Sequence, residues 1–286
     1  LGSAPAVAYE SGGGTGTQAD IDRAVALARS SDVVIVSVGD DPSEGCDLPT
    51  LRLPIAPPDD LDFCAWNELT PGGYSQPPTQ RGTGTDQEAL MQALTADPAI
   101  ARKLVVVLKT QGMVLMPWLD RVPALLEAWY PGQEDGNVVA DLVFGLRSPS
   151  GKLPVTFGRS EREAAYATTE QFPGVWGPPP FWSDDQALSP HYAEGLQMGY
   201  RWYEAQNVIP VFPFGHGLSY TTYEYSNLVV TPSRDATGNT TLTVGYTITN
   251  TGTRVGKEAS QVYLTLPAEA GQPTKRLAGF RKVEVQ

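Results

Sequence analysis

Residues 33–47 read VVIVSVGDDPSEGCD. A nearly continuous apolar run ends at Gly39, and a turn-rich acidic loop follows in which Glu44 stands between Ser43 and Gly45. Such a run predicts a strand of a parallel sheet that is covered on both faces. Because ligands of open parallel sheets bind outside the carboxyl ends of the strands, Glu44 is well placed for acid/base chemistry. From this stretch alone, a solvated surface loop is an equally good interpretation.

The first half of the chain alternates short apolar runs with helical patterns. Helices are predicted over residues 19–30, 87–94 and 137–144, and strands over residues 6–9, 33–38, 104–108, 124–129 and 153–157. This alternation is typical of a mostly parallel sheet between two helical layers, a three-layer α/β/α sandwich. We therefore expect an α/β sandwich domain over residues 1–158. Its insertion loop, residues 54–84, contains Trp66 and Tyr74, which favour a lid or a sugar-stacking wall over a linker.

The second half changes character. Residues 159–222 are irregular and predict a connecting segment, whereas four alternating runs follow at residues 223–231, 240–250, 258–266 and 276–285. Alternation with turn residues between the runs predicts an antiparallel β-sandwich over residues 223–286. Four strands are fewer than the roughly seven of a complete sandwich, so we expect this domain to be truncated.

The composition narrows the class of protein. The chain has 286 residues and a net charge of −12 at pH 7, which argues against nucleic-acid and anionic-membrane partners. No run of 18 apolar residues predicts a transmembrane helix. The first residues lack both a signal-peptide pattern and a starting Met, so we expect a processed or partial product. The charge fits a periplasmic or secreted protein better than a cytoplasmic one.

Cysteine and histidine give little indication of chemistry. Cys46 and Cys64 flank a Pro-rich loop, and both a disulfide in an oxidising compartment and two free thiols remain open. His191 and His216 are isolated from each other in sequence, so no metal site is expected. No cofactor is expected either, and the sequence does not indicate an oligomeric state.

One motif favours a different class of enzyme. Residues 14–19 read GTGTQA and match the dinucleotide-binding fingerprint, with Asp40 as the acid after the next strand. Residues 10–13 separate the fingerprint from the preceding predicted strand, so the turn would not be tight. The favoured interpretation is a Gly-rich loop at a helix N-terminus, and a dinucleotide-dependent oxidoreductase is kept as an alternative.

Ten segments together resemble the C-terminal half of glycoside hydrolase family 3, of the bacterial β-glucosidase type. In order they are SEGCD (43–47), LRLP (51–54), VLMPW (114–118), AWYPGQE (128–134), PSGKLPVTF (149–157), YAEG (192–195), GYRWY (199–203), FPFGHGLSY (212–220), YTITNTG (246–252) and LAGFRKV (277–283). The last two resemble the family's fibronectin type III-like domain.

The resemblance implies a retaining, exo-acting β-glucosidase that hydrolyses terminal non-reducing β-D-glucosyl residues. It assigns the general acid/base to Glu44 and places the Asp nucleophile in an N-terminal barrel, which this chain lacks. β-Glucosides or β-linked oligosaccharides and that barrel are therefore the expected partners. Candidate substrate-binding residues are Asp41, Ser43, Asp47, Trp66 and Tyr74.

Two features keep other interpretations open. Leu48 follows Asp47 where the family often has Arg, so the expected ion pair of Asp47 is in doubt. Since half of the catalytic machinery is missing, a non-catalytic carbohydrate-binding or assembly fragment is the alternative function.

Overall fold

The computed structural model describes residues 6–10, 17–40, 50–54, 86–172, 174–177, 187–273 and 275–286. The candidate site residues predicted from the sequence and both cysteines lie outside these ranges: Asp41, Ser43, Glu44, Cys46, Asp47, Cys64, Trp66 and Tyr74. The chain divides into two compact units. Unit 1 comprises Leu1–Asp135 and Phe157–Gly195, and unit 2 comprises Gly136–Thr156 and Leu196–Gln286. The predicted domain boundaries after residues 158 and 222 stay a prediction.

Unit 1 is built on a parallel sheet. Its strands are β1 (Val34–Gly39), β2 (Leu104–Lys109) and β3 (Ala124–Glu127), in the spatial order β1-β2-β3. In this register Gly39 lies opposite Lys109, and Leu108 opposite Glu127. The central strand β2 is the most deeply buried, since four of its side chains are at most 1% exposed: Leu104, Val106, Val107 and Leu108. An apolar run of this kind is typical of a parallel strand covered on both faces.

Three helices accompany the sheet: α1 (Gln18–Ser30), α2 (Gln87–Ala96) and α3 (Pro98–Ala101). Each begins at a polar residue that caps it, namely Thr17, Asp86 and Asp97. These side chains accept hydrogen bonds from backbone N–H groups of the first turn, which have no partner inside the helix. The apolar faces of α1 and α2 are buried and the two helices contact each other.

Later in the chain come α4 (Asp135–Val143), the short antiparallel pair β4 (Val175–Gly177) and β5 (Ala187–Ser189), and α5 (Tyr200–Gln206). Two antiparallel hairpins follow in unit 2. The first joins β6 (Tyr223–Arg234) to β7 (Thr240–Asn250), and the second joins β8 (Gly256–Thr265) to β9 (Lys275–Val285). The predicted fold class is confirmed: a parallel sheet with helices, followed by antiparallel strand pairs.

A buried carboxylate connects the two hairpins of unit 2. Glu258 on β8 is 7% exposed and accepts a hydrogen bond from the hydroxyl of Tyr225 on β6 at 2.8 Å. Lys152 Nζ lies 3.3 Å from the same carboxyl oxygen and offsets its charge. Desolvation of the hydroxyl and its bond to Glu258 raise the pKa of Tyr225. This pairing satisfies a charge that would be costly to bury alone.

Two predicted strands are wrong. Residues 6–10 form no strand, and Val7 and Tyr9 are exposed. No other strand among the described residues pairs with this segment, so its backbone has no ladder to join. Residues 153–157 also form no continuous strand. Leu153 exchanges backbone hydrogen bonds with Gly215 and His216 at 2.7 and 2.8 Å, but the chain bends at residues 154 and 155, so the pairing does not continue as a strand.

The close approach of β1 and β2 gives a test of this sheet. A Cβ on Gly39 would lie 2.1 Å from the backbone oxygen of Lys109, so Gly39→Ala must push the two strands apart. We expect a loss of about 1–3 kcal/mol in the free energy of unfolding, measured by urea denaturation. Gly112→Ala is the matched control, because a Cβ there meets nothing within 4 Å. Equal effects of both substitutions would contradict the close packing at Gly39.

Candidate functional site

The carboxyl ends of the three parallel strands form one polar edge in unit 1. β1 is followed by Asp40, β2 ends at Lys109 and is followed by Thr110, and β3 ends at Glu127. Because neighbouring strands run parallel, residues far apart in sequence come together here. This is the edge at which open α/β sheets bind their ligands.

A cavity of about 420 Å³ opens at this edge. Its volume lies within the range of small-molecule sites. Backbone of β1, an amide, an ion pair, a carboxylate and two aromatic rings surround it: Ser37, Val38, Gly39, Asp40, Gln87, Lys109, Trp129, Tyr130, Pro131, Gly132 and Asp135. The mixture of hydrogen-bonding groups with aromatic surface suits a polar organic ligand.

Asp40 is hydrogen-bonded to the loops that follow the other two strands. Its carboxylate accepts from the backbone N–H of Gln111, with Oδ1 and Oδ2 at 3.1 and 3.2 Å. The hydroxyl of Tyr130 donates to Oδ1 of the same carboxylate. On the α2 side, Gly39 N donates to Gln87 Oε1 at 2.8 Å. The end of β1 is thus fixed from three directions.

An ion pair forms another wall of the cavity. Lys109 Nζ is bonded to Asp135 Oδ2, and both side chains are about one-third exposed at 33%. Asp135 is also the first residue of α4, where a negative charge is favourable. The pairing of Asp135 with Lys109 becomes visible only in the structure.

The chain turns sharply after β3. Trp129 has φ of 53°, in the left-handed region that non-glycine residues rarely adopt. Its N–H donates to Glu127 Oε1 at 2.8 Å, and its ring lies 6.2 Å from the ring of Phe157. Strain of this kind persists only where surrounding contacts over-determine the backbone. Tyr130 follows directly and reaches Asp40.

Glu127 is a carboxyl group that binds its proton unusually tightly. Burial raises the pKa of Glu127 from 4.5 to about 7, although hydrogen bonds from Trp129 N and the Thr110 hydroxyl oppose this. Thr110 Oγ1 donates to the Gly112 oxygen at 2.7 Å and lies 3.3 Å from Glu127 Oε2. The carboxyl group of Glu127 can hold a proton near neutral pH.

The predicted acid/base Glu44 lies in the segment between the described residues Asp40 and Thr50. The described residues on both sides of this segment are hydrogen-bonded to other parts of unit 1. At the far end, Leu51 N donates to Glu161 Oε1 at 2.8 Å, and the Leu51 oxygen accepts from Leu115 N at 2.7 Å. The roles of Glu44 and of the other sequence-predicted residues are therefore not tested by the described part of the chain.

Sequence reasoning missed Asp40 as a bonding partner of Tyr130, and it missed Glu127. A signal was present, because polar residues directly follow or end each apolar strand of the predicted sheet. Asp40 was considered only as the acid of a dinucleotide motif. Tyr130 entered only as part of AWYPGQE (128–134), one of the segments that carry the family resemblance.

The described residues do not favour a dinucleotide. Thr17 N donates to Asp20 Oδ2 at 3.2 Å, so an acidic side chain occupies the N-terminus of α1, where a pyrophosphate would need to bind. No strand among the described residues precedes this helix. Across the described ranges, no group of three or more His, Cys, Asp or Glu residues comes together to hold a metal ion.

Comparison with known proteins identifies the family. Residues 79–220 match the model of the glycosyl hydrolase family 3 C-terminal domain. The chain is 34% identical over 275 residues to a β-glucosidase of Rhizobium radiobacter, covering 93% of this chain and 28% of that protein. It is 35% identical over 280 residues to probable β-glucosidase J of Neosartorya fischeri, covering 94% of this chain and 27% of that protein.

Solved structures of β-glucosidases are also similar to this chain. The β-glucosidase DesR of Streptomyces venezuelae, in complex with D-glucose, superposes with a TM-score of 0.71 at 34% identity, covering 93% of this chain and 28% of that one. β-Glucosidase 3B of Thermotoga neapolitana, in complex with glucose, gives a TM-score of 0.64 at 30% identity, covering 93% of this chain and 32% of that one.

The fold, a parallel sheet with helices followed by antiparallel strand pairs, matches that of the C-terminal region of solved β-glucosidases. The chain belongs to glycoside hydrolase family 3, and it corresponds to the C-terminal part of the family's β-glucosidases. It spans about 28% of the length of the first relatives that it matches. Within the described residues, none of the helices combines the length and the apolar character needed to cross a bilayer.

The raised pKa of Glu127 gives a pH test. A carboxyl group with a pKa of about 7 in the folded state and 4.5 when unfolded stabilises the fold fully below pH 4.5, and this contribution is lost as pH rises through 7. Glu127→Gln keeps the acceptor for Trp129 N but does not titrate. We therefore expect the wild-type free energy of unfolding, relative to the variant, to fall by about 2 kcal/mol between pH 5 and 8.

Urea denaturation of both proteins at several pH values measures this difference. Charged groups elsewhere affect wild type and variant alike, so they cancel in the comparison. Parallel pH profiles for the two proteins would show that Glu127 titrates normally.

Proposed function

We propose that this chain is the C-terminal part of a retaining, exo-acting β-glucosidase that removes terminal non-reducing β-D-glucosyl residues. The observation that carries the proposal is the similarity of 93% of the chain to β-glucosidases, two of whose structures contain glucose. Its role would be to supply the general acid/base, Glu44, to a site completed by an N-terminal barrel. The barrel would supply an Asp nucleophile.

The proposed mechanism has two steps and uses two carboxyl groups that flank the glycosidic bond to be cleaved. In retaining glycosidases the two groups stand about 5–5.5 Å apart and a covalent glycosyl-enzyme forms. Glu44 would first protonate the leaving oxygen while the Asp attacks the anomeric carbon. It would then take a proton from water as the water releases glucose. The first step needs a protonated Glu44, so its pKa must be raised by desolvation and by the nearby nucleophile's charge.

Several residues near Glu44 in sequence are proposed to bind the substrate. Asp41, Ser43 and Asp47 belong to the same loop and offer hydrogen-bonding groups to sugar hydroxyls. Trp66 and Tyr74 lie in the 54–84 insertion and are proposed to stack on the sugar ring of the aglycone. The cavity at the sheet edge, with Asp40 and Tyr130, lies at the described end of the Glu44 loop.

A periplasmic or secreted location is also proposed. The support is compositional: a net charge of −12. Cell fractionation with detection of the native protein tests this location, and recovery in the cytoplasmic fraction would contradict it.

One prediction from the proposed function concerns Glu44. In the full-length protein, we expect Glu44→Gln to slow hydrolysis of cellobiose, a poor leaving group, by about 10²–10⁴-fold, because general acid catalysis is lost. Glucosides of acidic phenols need little protonation, so their first step should change much less. Steady-state kinetics on both substrate types measures the difference. Glu269→Gln, an exposed and isosteric change in unit 2, is the control.

Equal losses across leaving groups would remove Glu44 from the acid role. The intact mass of the natural protein distinguishes the proposed function from the alternative one. A mass near 30.7 kDa, that of this chain alone, would favour a carbohydrate-binding or assembly fragment over a complete enzyme.

Another prediction from the proposed function concerns Trp66. If its ring stacks on the aglycone sugar, Trp66→Ala should raise KM for cellobiose about 5- to 10-fold, equivalent to about 1 kcal/mol of lost stacking. Trp66→Phe keeps an aromatic face and should retain most of the affinity. Unchanged kinetics on both oligosaccharides and aryl glucosides in the alanine variant would show that Trp66 does not contact substrate.

A further inference from the structure

The bond between Tyr130 and Asp40 joins two strand ends that lie far apart in the chain. Ninety residues separate the two side chains in sequence. Asp40 is also the last described residue before the segment that carries Glu44, four residues further on. Four residues span at most about 14 Å, so the direction in which the chain leaves Asp40 limits where Glu44 can lie.

The end of β1 is held by contacts of different kinds. Gly39 packs closely against the backbone of Lys109, and its N–H is bonded to Gln87. These contacts fix the position of the backbone. The carboxylate of Asp40 accepts hydrogen bonds from Gln111 N and from the Tyr130 hydroxyl, so the side chain of Asp40 is held as well.

The Tyr130 hydroxyl contributes little to folding. The side chain is 53% exposed, so water can replace its bond when the hydroxyl is removed. Such an exposed hydrogen bond orients the two side chains but adds little to the free energy of unfolding. The hydroxyl can therefore be deleted without unfolding the protein, which makes its geometric role measurable.

The orientation of Tyr130 is itself set by the turn after β3. Trp129 adopts a left-handed backbone with φ of 53°, and its N–H is held by Glu127 Oε1 at 2.8 Å. Its ring packs 6.2 Å from the ring of Phe157. Glu127 is in turn adjacent to the Thr110 hydroxyl at 3.3 Å. A continuous set of contacts therefore runs from the end of β3 to the end of β1.

We propose that Asp40 and Tyr130 are positioning residues for the general acid/base, and that Glu127 and Trp129 orient Tyr130 for this task. The proposal rests on the proposed function, because it needs Glu44 to be the acid. In this role the residues need not touch the reacting atoms. They fix the start of the loop, so that the carboxyl group of Glu44 meets the leaving oxygen.

The test is a leaving-group series with Tyr130→Phe in the full-length protein. We expect kcat for cellobiose and for glucosides of weakly acidic phenols to fall about 10-fold, because a misplaced acid protonates poorly. Glucosides of strongly acidic phenols should stay within about twofold. KM and the thermal midpoint should change little. Asp40→Ala should steepen the leaving-group dependence in the same way, and Asp40→Asn, which keeps one acceptor oxygen, should do so less.

The matched control is Tyr220→Phe. Tyr220 donates its hydroxyl to the Leu142 oxygen at 2.8 Å inside unit 2, so the same chemical change removes a comparable bond elsewhere. We expect no steepening of the leaving-group dependence in this variant. A uniform loss on all substrates in Tyr130→Phe, or the same behaviour in both tyrosine variants, would overturn the positioning role.

A double-mutant cycle separates this proposal from the proposed function. If Tyr130 acts through Glu44, Tyr130→Phe should have no further effect on poor leaving groups once Glu44→Gln is present. Independent, multiplicative losses would contradict positioning while leaving Glu44 as the acid. If Glu44→Gln alone does not steepen the leaving-group dependence, the proposed function itself fails, whatever the tyrosine variants show.

Discussion

The structure of unit 1 depends on the backbone contact between β1 and β2 at Gly39 and Lys109. A side chain at position 39 would collide with the neighbouring strand, so only glycine allows the two strand ends to lie this close. The parallel register then brings Asp40, Thr110 and Glu127 to one edge. The cavity, the bond from Tyr130 to Asp40 and the start of the Glu44 loop all follow from this register.

The parts of the fold that were predicted correctly are those with strong local patterns. The continuous apolar runs that became β1 and β2 could be recognised from the sequence, as could the alternating runs of β6 to β9. The strand predicted at 153–157 was wrong because the chain bends at residues 154 and 155, which leaves a local pairing at Leu153 and a single bridged residue at Phe157. The segment at 6–9 has a strand-like composition, but no described neighbour pairs with it.

The candidate site was only partly predictable. Its location at the carboxyl ends of the strands followed from the fold class. The bonding of Tyr130 to Asp40 could not be predicted from spacing, since it depends on a left-handed residue at position 129 that redirects the chain. The raised pKa of Glu127 could not be predicted either, because the burial that raises it depends on packing between separate segments. Local patterns contain no information on either.

Trp129 also has consequences for how this sequence can diverge. Glycine at position 129 would relieve the left-handed backbone but would remove the ring that packs against Phe157. A β-branched residue would retain apolar surface but would strain the backbone further. Position 129 must therefore adopt a left-handed backbone, which favours glycine, and must also supply a ring to Phe157. Few residue types satisfy both requirements. Drift at this position should therefore be slow.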